Sequence, residues 1–110
     1  MSTVFSLIIQ GKIPSTKVFE NERILAIEDI HPVAPVHILI IPKKEIPDLQ
    51  SVSQEDLPLI GEIMQVAQTI AKEKGIEKGY CLLTNNGTEA GQTIFHLHFH
   101  LISGKKVLQH

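Results

Sequence analysis

Three histidines at alternate positions near the carboxyl end of the chain have the type and spacing that chemistry requires. His96, His98 and His100 lie in the stretch FHLHFHLI, residues 95–102, with apolar residues between them. Because alternate side chains of a β-strand point to the same side of a sheet, we expect the three imidazoles to share one face. The apolar residues of this stretch are expected to face the core: Phe95, Leu97, Phe99 and Leu101.

A metal site is one use for a row of histidines, since imidazole is a common metal ligand. Same-face neighbours are about 6.5–7 Å apart along a strand, so the outer two Cα atoms lie roughly 13 Å apart. Zinc ligands lie about 2 Å from the metal, so two neighbouring histidines can share one ion but three cannot do so easily. We predict no metal. A metalloenzyme that uses His37, His98 and His100 stays an alternative, as do strand histidines without a chemical role.

Covalent transfer of a phosphorus group is the chemistry that this spacing favours. A neutral imidazole is a good nucleophile near pH 7 and can form a labile N–P bond. A second imidazole one step along the same face can hydrogen-bond to the reacting group and move a proton. We therefore predict nucleophilic catalysis on a nucleotidyl or phosphoryl group. We expect a backbone carbonyl to hold the other ring nitrogen of the nucleophile as N–H.

The loop before the histidines has the composition of an anion-binding loop. The stretch NNGTEAGQT, residues 85–93, contains Gly87 and Gly91, which permit unusual backbone angles, so its N–H groups could surround an anion. An exposed polar hairpin loop is the alternative, but the adjacent histidines favour phosphate binding. The loop also contains three side-chain donors: Asn85, Gln92 and Thr93.

Two segments have the periodicity of helices. STVFSLIIQG is short, with a possible N-cap at Ser2 or Thr3 and a stop at Gly11. SVSQEDLPLIGEIMQVAQTIAKEKG has a possible capping box of Ser53 and Asp56 and is expected to end at Gly75. Its apolar residues recur at three- and four-residue steps and predict one apolar face, which can belong to the core or to an interface: Leu59, Ile60, Ile63, Met64, Ala67, Ile70 and Ala71.

Five segments have the pattern of strands. KVFE and RILAIED predict a hairpin, and VHILIIP predicts an interior strand that ends at Pro42. GYCLLTNN and TIFHLHFHLIS predict two more strands, joined by the polar loop. The order of elements predicts an α+β fold with a mainly antiparallel five-stranded sheet, one long helix and a short N-terminal helix.

Composition limits the class of protein. The 110 residues fit a single domain, residues 1–110, and a domain of this size gains buried surface by dimerising. The net charge of −2 shows no basic field for nucleic acid, and the apolar runs are too short to span a membrane. One cysteine, Cys81, excludes an internal disulfide, and the N-terminus lacks the pattern of a signal peptide. We therefore expect a cytoplasmic protein.

The histidine stretch resembles the pattern His-φ-His-φ-His-φ-φ that names the histidine triad (HIT) superfamily. The segments KIPSTKVFENERILAIEDIHPVAPVHILIIPKKEI and LTNNGTEAGQTIFHLHFHLISGK also resemble the Hint branch, and the resemblance covers roughly residues 4 to 105. That branch comprises small homodimeric proteins that bind purine nucleotides and hydrolyse adenosine phosphoramidates. The resemblance therefore implies cleavage of the P–N bond of a purine nucleoside 5′-phosphoramidate, through a nucleotidyl-histidine and without a cofactor.

The resemblance also implies a role for each catalytic histidine. His98 corresponds to the nucleophile that attacks phosphorus. His100 corresponds to the residue that contacts the phosphate and the bridging atom and assists proton transfer. His96 corresponds to a more structural histidine that orients the nucleophile. His37 corresponds to a member of a proton relay, although the pattern of its strand alone favours a core histidine.

The resemblance further implies a nucleotide site. Asp29 corresponds to the carboxylate that holds the ribose hydroxyls, a suitable task for a group with two acceptor oxygens. Ile30, Phe5 and Ile8 correspond to the apolar pocket around the purine; without the resemblance, Asp29 is a turn residue and the apolar residues are ordinary core. The residues that correspond to the phosphate contacts are Asn85, Gly91, Gln92 and Thr93, together with His98 and His100.

The sequence departs from relatives at three places. The N-terminal cysteines that hold a structural zinc in some members are replaced by VFSLI, so no such zinc is expected. The third triad residue is Gln in the galactose-1-phosphate uridylyltransferase branch, whereas His100 favours water as the final acceptor. The C-terminus SGKKVLQH lacks the tail that influences substrate choice in some relatives, so specificity stays open. A nucleotide sensor or scaffold and a dinucleoside polyphosphate hydrolase are the alternative functions.

Overall fold

The computed structural model describes residues 2–104 and begins with a short helix. Helix α1 spans Val4–Ile9, and Thr3 is its N-cap. The Thr3 hydroxyl accepts a hydrogen bond from the Ser6 N–H at 3.1 Å, and the Ser6 hydroxyl accepts one from the Thr3 N–H at 2.8 Å. This reciprocal pair satisfies N–H groups that the start of a helix leaves unpaired. After the helix the chain turns at Gly11, whose φ of 78° favours glycine.

A five-stranded antiparallel sheet lies at the centre of the protein. Its strands are β1 (Lys17–Glu20), β2 (Ile24–Glu28), β3 (Val36–Pro42), β4 (Cys81–Leu83) and β5 (Phe99–Ser103). They lie in the order β1-β2-β3-β5-β4, and each neighbouring pair is antiparallel. The predicted α+β fold is therefore confirmed, with β3 as an interior strand, although β4 is shorter than the segment GYCLLTNN.

The last strand begins later than the sequence pattern predicts. Pairing with β3 starts at Phe99, so His96 and His98 lie on an irregular segment before the strand. The ladder does not continue because Pro42, near the end of β3, has no N–H, and its carbonyl accepts from the ring of His96. The strict alternation is lost there, so the prediction that Phe95 faces the core is wrong; its side chain is 46% exposed.

The long helix α2, Leu57–Glu73, covers one face of the sheet. A short 3₁₀ turn, Gln54–Asp56, precedes it, and the Ser53 hydroxyl accepts from the Asp56 N–H at 3.3 Å. Ser53 therefore caps the 3₁₀ turn and not the helix, which corrects the predicted start. The predicted stop is confirmed, because the helix ends just before Gly75.

The face of α2 that packs on the sheet agrees with the predicted pattern except at its edge. Met64 is 49% exposed in the single chain, whereas Val66, which the predicted pattern omits, is buried. Met64 therefore belongs to the apolar stripe of the helix but not to the part of it that packs on the sheet. The main core is formed by this face of the helix and by residues of the strands and of the segment just before β5: Ile24, Ala26, Ile38, Ile40, Leu97, Phe99 and Leu101.

The other face of the sheet packs against α1. Phe5 and Ile8 of this helix join a second apolar cluster with Leu25, Ile27, Leu39 and Ile41 of the strands. His100 lies opposite Leu39 in the ladder, so its ring is on this face. The triad is thus on the side of the sheet opposite α2. No helix within residues 2–104 has the length and apolar character needed to cross a membrane.

Candidate active site

His98 has one ring nitrogen held by the backbone and the other available to a cavity. Its Nδ1 lies 2.8 Å from the carbonyl oxygen of His96. A carbonyl can only accept, so Nδ1 carries the hydrogen, and in a neutral imidazole Nε2 then has a free lone pair. Burial lowers the pKa of His98 below its ordinary value, although the bond to His96 opposes this. The ring is therefore neutral at pH 7, as a nucleophile requires.

His96 supports the ring of His98 from inside the core. Its side chain is 1% exposed, and its Nε2–H donates to the carbonyl of Pro42 at 2.7 Å. The ring of Phe5 packs edge-on against both His96 and His98, with centroid distances of 6.2 and 4.8 Å. Fixing the ring of His96 also fixes the carbonyl that holds His98, which supports the predicted orienting role. Thr84 adds a second brace, since its hydroxyl donates to the His98 carbonyl at 2.6 Å.

The rings of His100 and His37 are joined by a hydrogen bond. The Nε2 of His37 lies 2.9 Å from the Nδ1 of His100, and the Val33 N–H donates to the Nδ1 of His37 at 3.1 Å. Because His37 Nδ1 accepts, its hydrogen lies on Nε2 and is donated to His100. Neutral His100 therefore carries its own hydrogen on Nε2. Burial, with the nearby His98 and His37, lowers the pKa of His100 to about 4.

Asp29 completes the cluster around His37. Its Oδ2 lies 3.3 Å from the Nε2 of His37, and its Oδ1 accepts from the His31 N–H at 2.8 Å. One donor atom from each of Asp29, His37 and His100 lies within 4.8 Å of the others, the spacing that a metal ion needs. The two imidazole nitrogens are, however, at hydrogen-bond distance with a proton between them. This cluster, and not the triad itself, is where a metal would compete with that proton.

A cavity of about 390 Å³ opens beside the histidines, a volume within the range of small-molecule sites. It is lined by seven of the residues that the sequence assigns to the nucleotide site: Phe5, Ile8, Asp29, Ile30, Thr93, His98 and His100. Ile30 is 85% exposed, which is unusual for a large apolar side chain and suits contact with a ligand. His37 and His96 are not among the residues that line the cavity. His37 is hydrogen-bonded to His100, and the carbonyl of His96 holds the ring of His98.

Sequence reasoning did not identify a further group of cavity residues. Two of them could have been found from strand register, because Ile27 pairs with Leu39 and Leu39 with His100 on one face. The others come from segments whose placement depends on tertiary packing. The additional lining residues are Val4, Ile13, Pro14, Ser15, Ile27, Glu28, His31, Leu39 and Ile94.

The loop at residues 85–93 differs from the predicted anion nest. Gly87 and Gly91 do have positive φ angles, 85° and 91°, on either side of a 3₁₀ turn. The Gly91 N–H, however, donates to the Thr88 carbonyl and the Gln92 N–H to the Gly87 carbonyl, each at 3.0 Å. These two N–H groups therefore form hydrogen bonds within the loop and do not point at an anion. Of the predicted loop contacts, Thr93 is the one that lines the cavity.

Asn85 and Gln92 are predicted phosphate donors whose amides have partners inside the protein. Asn85 Nδ2 donates to the Ala90 carbonyl at 2.8 Å. Gln92 is 3% exposed; its Oε1 accepts from the Gly87 N–H, and its Nε2 donates to the carbonyls of Pro47 and Ile94. The Gln92 side chain therefore connects the loop to Pro47, in the segment between β3 and α2. The structure does not bring it to the cavity.

Gln92→Ala is expected to lower the free energy of unfolding by about 2–3 kcal/mol, because three polar groups lose their partner in a poorly solvated site. Urea unfolding followed by circular dichroism measures the change. Glu89→Ala, an exposed change in the same loop, is the matched control and should cost less than about 0.5 kcal/mol. Equal stability of the two variants, with a higher KM for Gln92→Ala, would instead make Gln92 a phosphate contact.

Comparison with known proteins agrees with this fold. The HIT domain model matches residues 10–107. An uncharacterized HIT-like protein of Chlamydia trachomatis is 48% identical over 104 residues, which are 94% of each chain. The crystal structure of a HIT family hydrolase from Legionella pneumophila has a TM-score of 0.94 and 41% identity, over 97% of this chain and 96% of that one. That of a histidine triad nucleotide-binding protein from Candida albicans has a TM-score of 0.83 and 34% identity, over 91% and 73%. The chain belongs to the HIT domain family.

Proposed function

We propose that the protein is a nucleotide hydrolase that cleaves the P–N bond of purine nucleoside 5′-phosphoramidates. The observation that carries the proposal is His98, whose Nδ1–H is held by the His96 carbonyl while its Nε2 is left as a nucleophile beside the cavity. Two solved relatives support it in general terms, since one is called a hydrolase and the other a nucleotide-binding protein. The phosphoramidate substrate is the part of the proposal that goes beyond what these relatives are called.

The cavity suggests how the nucleotide binds. The purine would pack against Phe5, Ile8 and Ile30, which line the cavity with apolar side chains. The ribose hydroxyls would donate to Asp29, a partly exposed carboxylate at the rim. This arrangement would leave the phosphate beside Thr93, His98 and His100, which line the same cavity.

The reaction would proceed in two displacements. In the first, the Nε2 lone pair of His98 forms a bond to phosphorus, the P–N bond of the substrate breaks, and the amine takes a proton from His100. In the second, water attacks the nucleotidyl-histidine, the P–Nε2 bond breaks, and His100 recovers a proton from the water. The products are the nucleoside monophosphate and the amine. Charge is handled by imidazoles, so we propose that no metal is required.

The experiment that tests this function is release of AMP from an adenosine 5′-phosphoramidate by chelator-treated protein. Metal-free turnover is expected. Tight AMP binding without turnover would favour a nucleotide sensor, and turnover of diadenosine polyphosphates alone would favour the dinucleoside polyphosphate hydrolase. Activity that is lost on chelation and restored by one metal would favour the metalloenzyme alternative.

We also propose that the protein acts as a homodimer joined through α2 and the edge strand β4. Within residues 2–104, exposed apolar side chains include Met64 on α2 and Tyr80 next to β4. A second copy would cover them and extend the sheet, which suits a domain too small to bury most of its surface alone. Sedimentation equilibrium should give twice the mass of the 12.2 kDa chain. A monomer at micromolar concentration would contradict the proposal.

A further inference from the structure

We propose that Asp29 is a positioning residue that acts through His37 to let His100 carry a proton to the leaving amine. This role rests on the function proposed above and is separate from ribose binding. It follows from the contact between the Asp29 carboxylate and the ring of His37, which lies behind the cavity wall. The carboxylate thus faces the nucleotide site and the imidazole pair at the same time.

The resting pair cannot by itself act as an acid. One hydrogen, on Nε2 of His37, lies between the two rings and fills the space in front of Nδ1 of His100. If His100 gave up its Nε2 hydrogen in that state, the pair would carry an anionic imidazolate. His100 must therefore first gain a proton on Nδ1, and the N–H of His37 must then have another acceptor, because two N–H groups cannot face each other.

Asp29 is the acceptor that the geometry offers. Its Oδ2 lies 3.3 Å from Nε2 of His37, so a small rotation moves the N–H from His100 to the carboxylate. His37 cannot avoid the conflict by changing tautomer, since the Val33 N–H already points at its Nδ1. The other oxygen of Asp29 is held by the His31 N–H, which keeps the carboxylate facing His37.

The proton then completes a closed cycle. When the anionic phosphate of the substrate binds, it favours a positive charge on His100, which takes a proton from solvent on Nδ1 while Asp29 balances the charge. His100 gives its Nε2 proton to the amine and becomes a neutral ring with a bare Nε2. In the second displacement that nitrogen accepts a proton from the attacking water, which restores the cationic His100. When the monophosphate leaves, the Nδ1 proton returns to solvent and the pair regains its neutral resting state. Bonds and protons balance over the two steps.

The test separates proton delivery from ribose binding by changing the leaving group alone. Two adenosine substrates are compared: an alkylamine phosphoramidate, whose leaving group needs a proton, and the 4-nitrophenyl phosphate ester, whose leaving group does not. Asp29→Asn keeps an oxygen for the His31 N–H but removes the charge. We expect kcat/KM for the amine substrate to fall about 10–100-fold more than that for the ester. Glu22→Gln, which removes a carboxylate at the opposite end of β2, should leave the ratio unchanged.

Each outcome decides between the roles. Equal losses on both substrates would overturn the inference and leave Asp29 as a ribose contact, since weaker binding of adenosine affects both alike. Wild-type protein that turns over neither substrate would refute the proposed function, and the inference with it. If Asp29→Asn fails to fold, Asp29→Ser replaces it, because serine can also accept from a nearby N–H; an unchanged ratio there would equally overturn the inference.

Discussion

Replacing His98 with asparagine is expected to lower kcat/KM for an adenosine phosphoramidate by a factor of about 10⁴ or more. Asparagine can keep the hydrogen bond to the His96 carbonyl through its amide N–H, but it offers no nucleophilic nitrogen to phosphorus. Neither of the other triad imidazoles can replace it. His96 is buried, and its Nε2–H donates to the Pro42 carbonyl. The ring of His100 is held in place by its hydrogen bond to His37.

Two further measurements show whether His98 acts covalently. Wild-type protein quenched during turnover should carry an added nucleotidyl group by mass spectrometry, and the His98→Asn protein should carry none. AMP should bind both proteins similarly, because the base and ribose contacts are intact. Residual turnover within about tenfold of wild type would show that water attacks phosphorus directly, with His98 only assisting.

The fold follows from the sequence wherever local pattern and packing agree. The five strands and two helices have clear periodicity, and Gly11 and Gly75 end the helices as expected. The start of β5 could not be predicted, because it depends on Pro42, a residue far away in the chain. Met64 shows the same limit. Periodicity predicts that a residue lies near one face of a helix, but it does not predict whether the sheet extends beneath that residue.

The site follows from the sequence to a smaller degree. The triad pattern identifies the histidines, but it does not say which ring nitrogen of each carries the hydrogen. That is decided by the Val33 N–H and the carbonyls of His96 and Pro42, which only the fold brings near the rings. Loop composition was a weaker guide. Gln92 has the donors that a phosphate site needs, but the same donors also close a loop, and composition alone does not separate these uses.

His100→Gln and His100→Ala are expected to slow hydrolysis by about 10²–10³ in kcat, but at different steps. Glutamine keeps an N–H donor for the phosphoryl group and cannot accept a proton from water. Alanine loses both properties. With the 4-nitrophenyl ester of AMP, whose leaving group needs no proton, the Gln variant should release one equivalent of nitrophenolate in a burst and then stall as nucleotidyl-His98. The Ala variant should form this intermediate slowly and show no burst.

The burst decides what His100 contributes to the choice of acceptor. The galactose-1-phosphate uridylyltransferase branch, from which this chain departs, has Gln at the third position and passes its nucleotidyl group to another acceptor. A stalled intermediate in His100→Gln would show that proton acceptance by His100 is what makes water effective in this protein. Rapid quench and mass spectrometry of the intact chain measure the intermediate. If the Gln variant turns over at the wild-type rate, the attack of water does not depend on proton acceptance by His100. The proton cycle through His37 and Asp29 would then have no role in the second displacement.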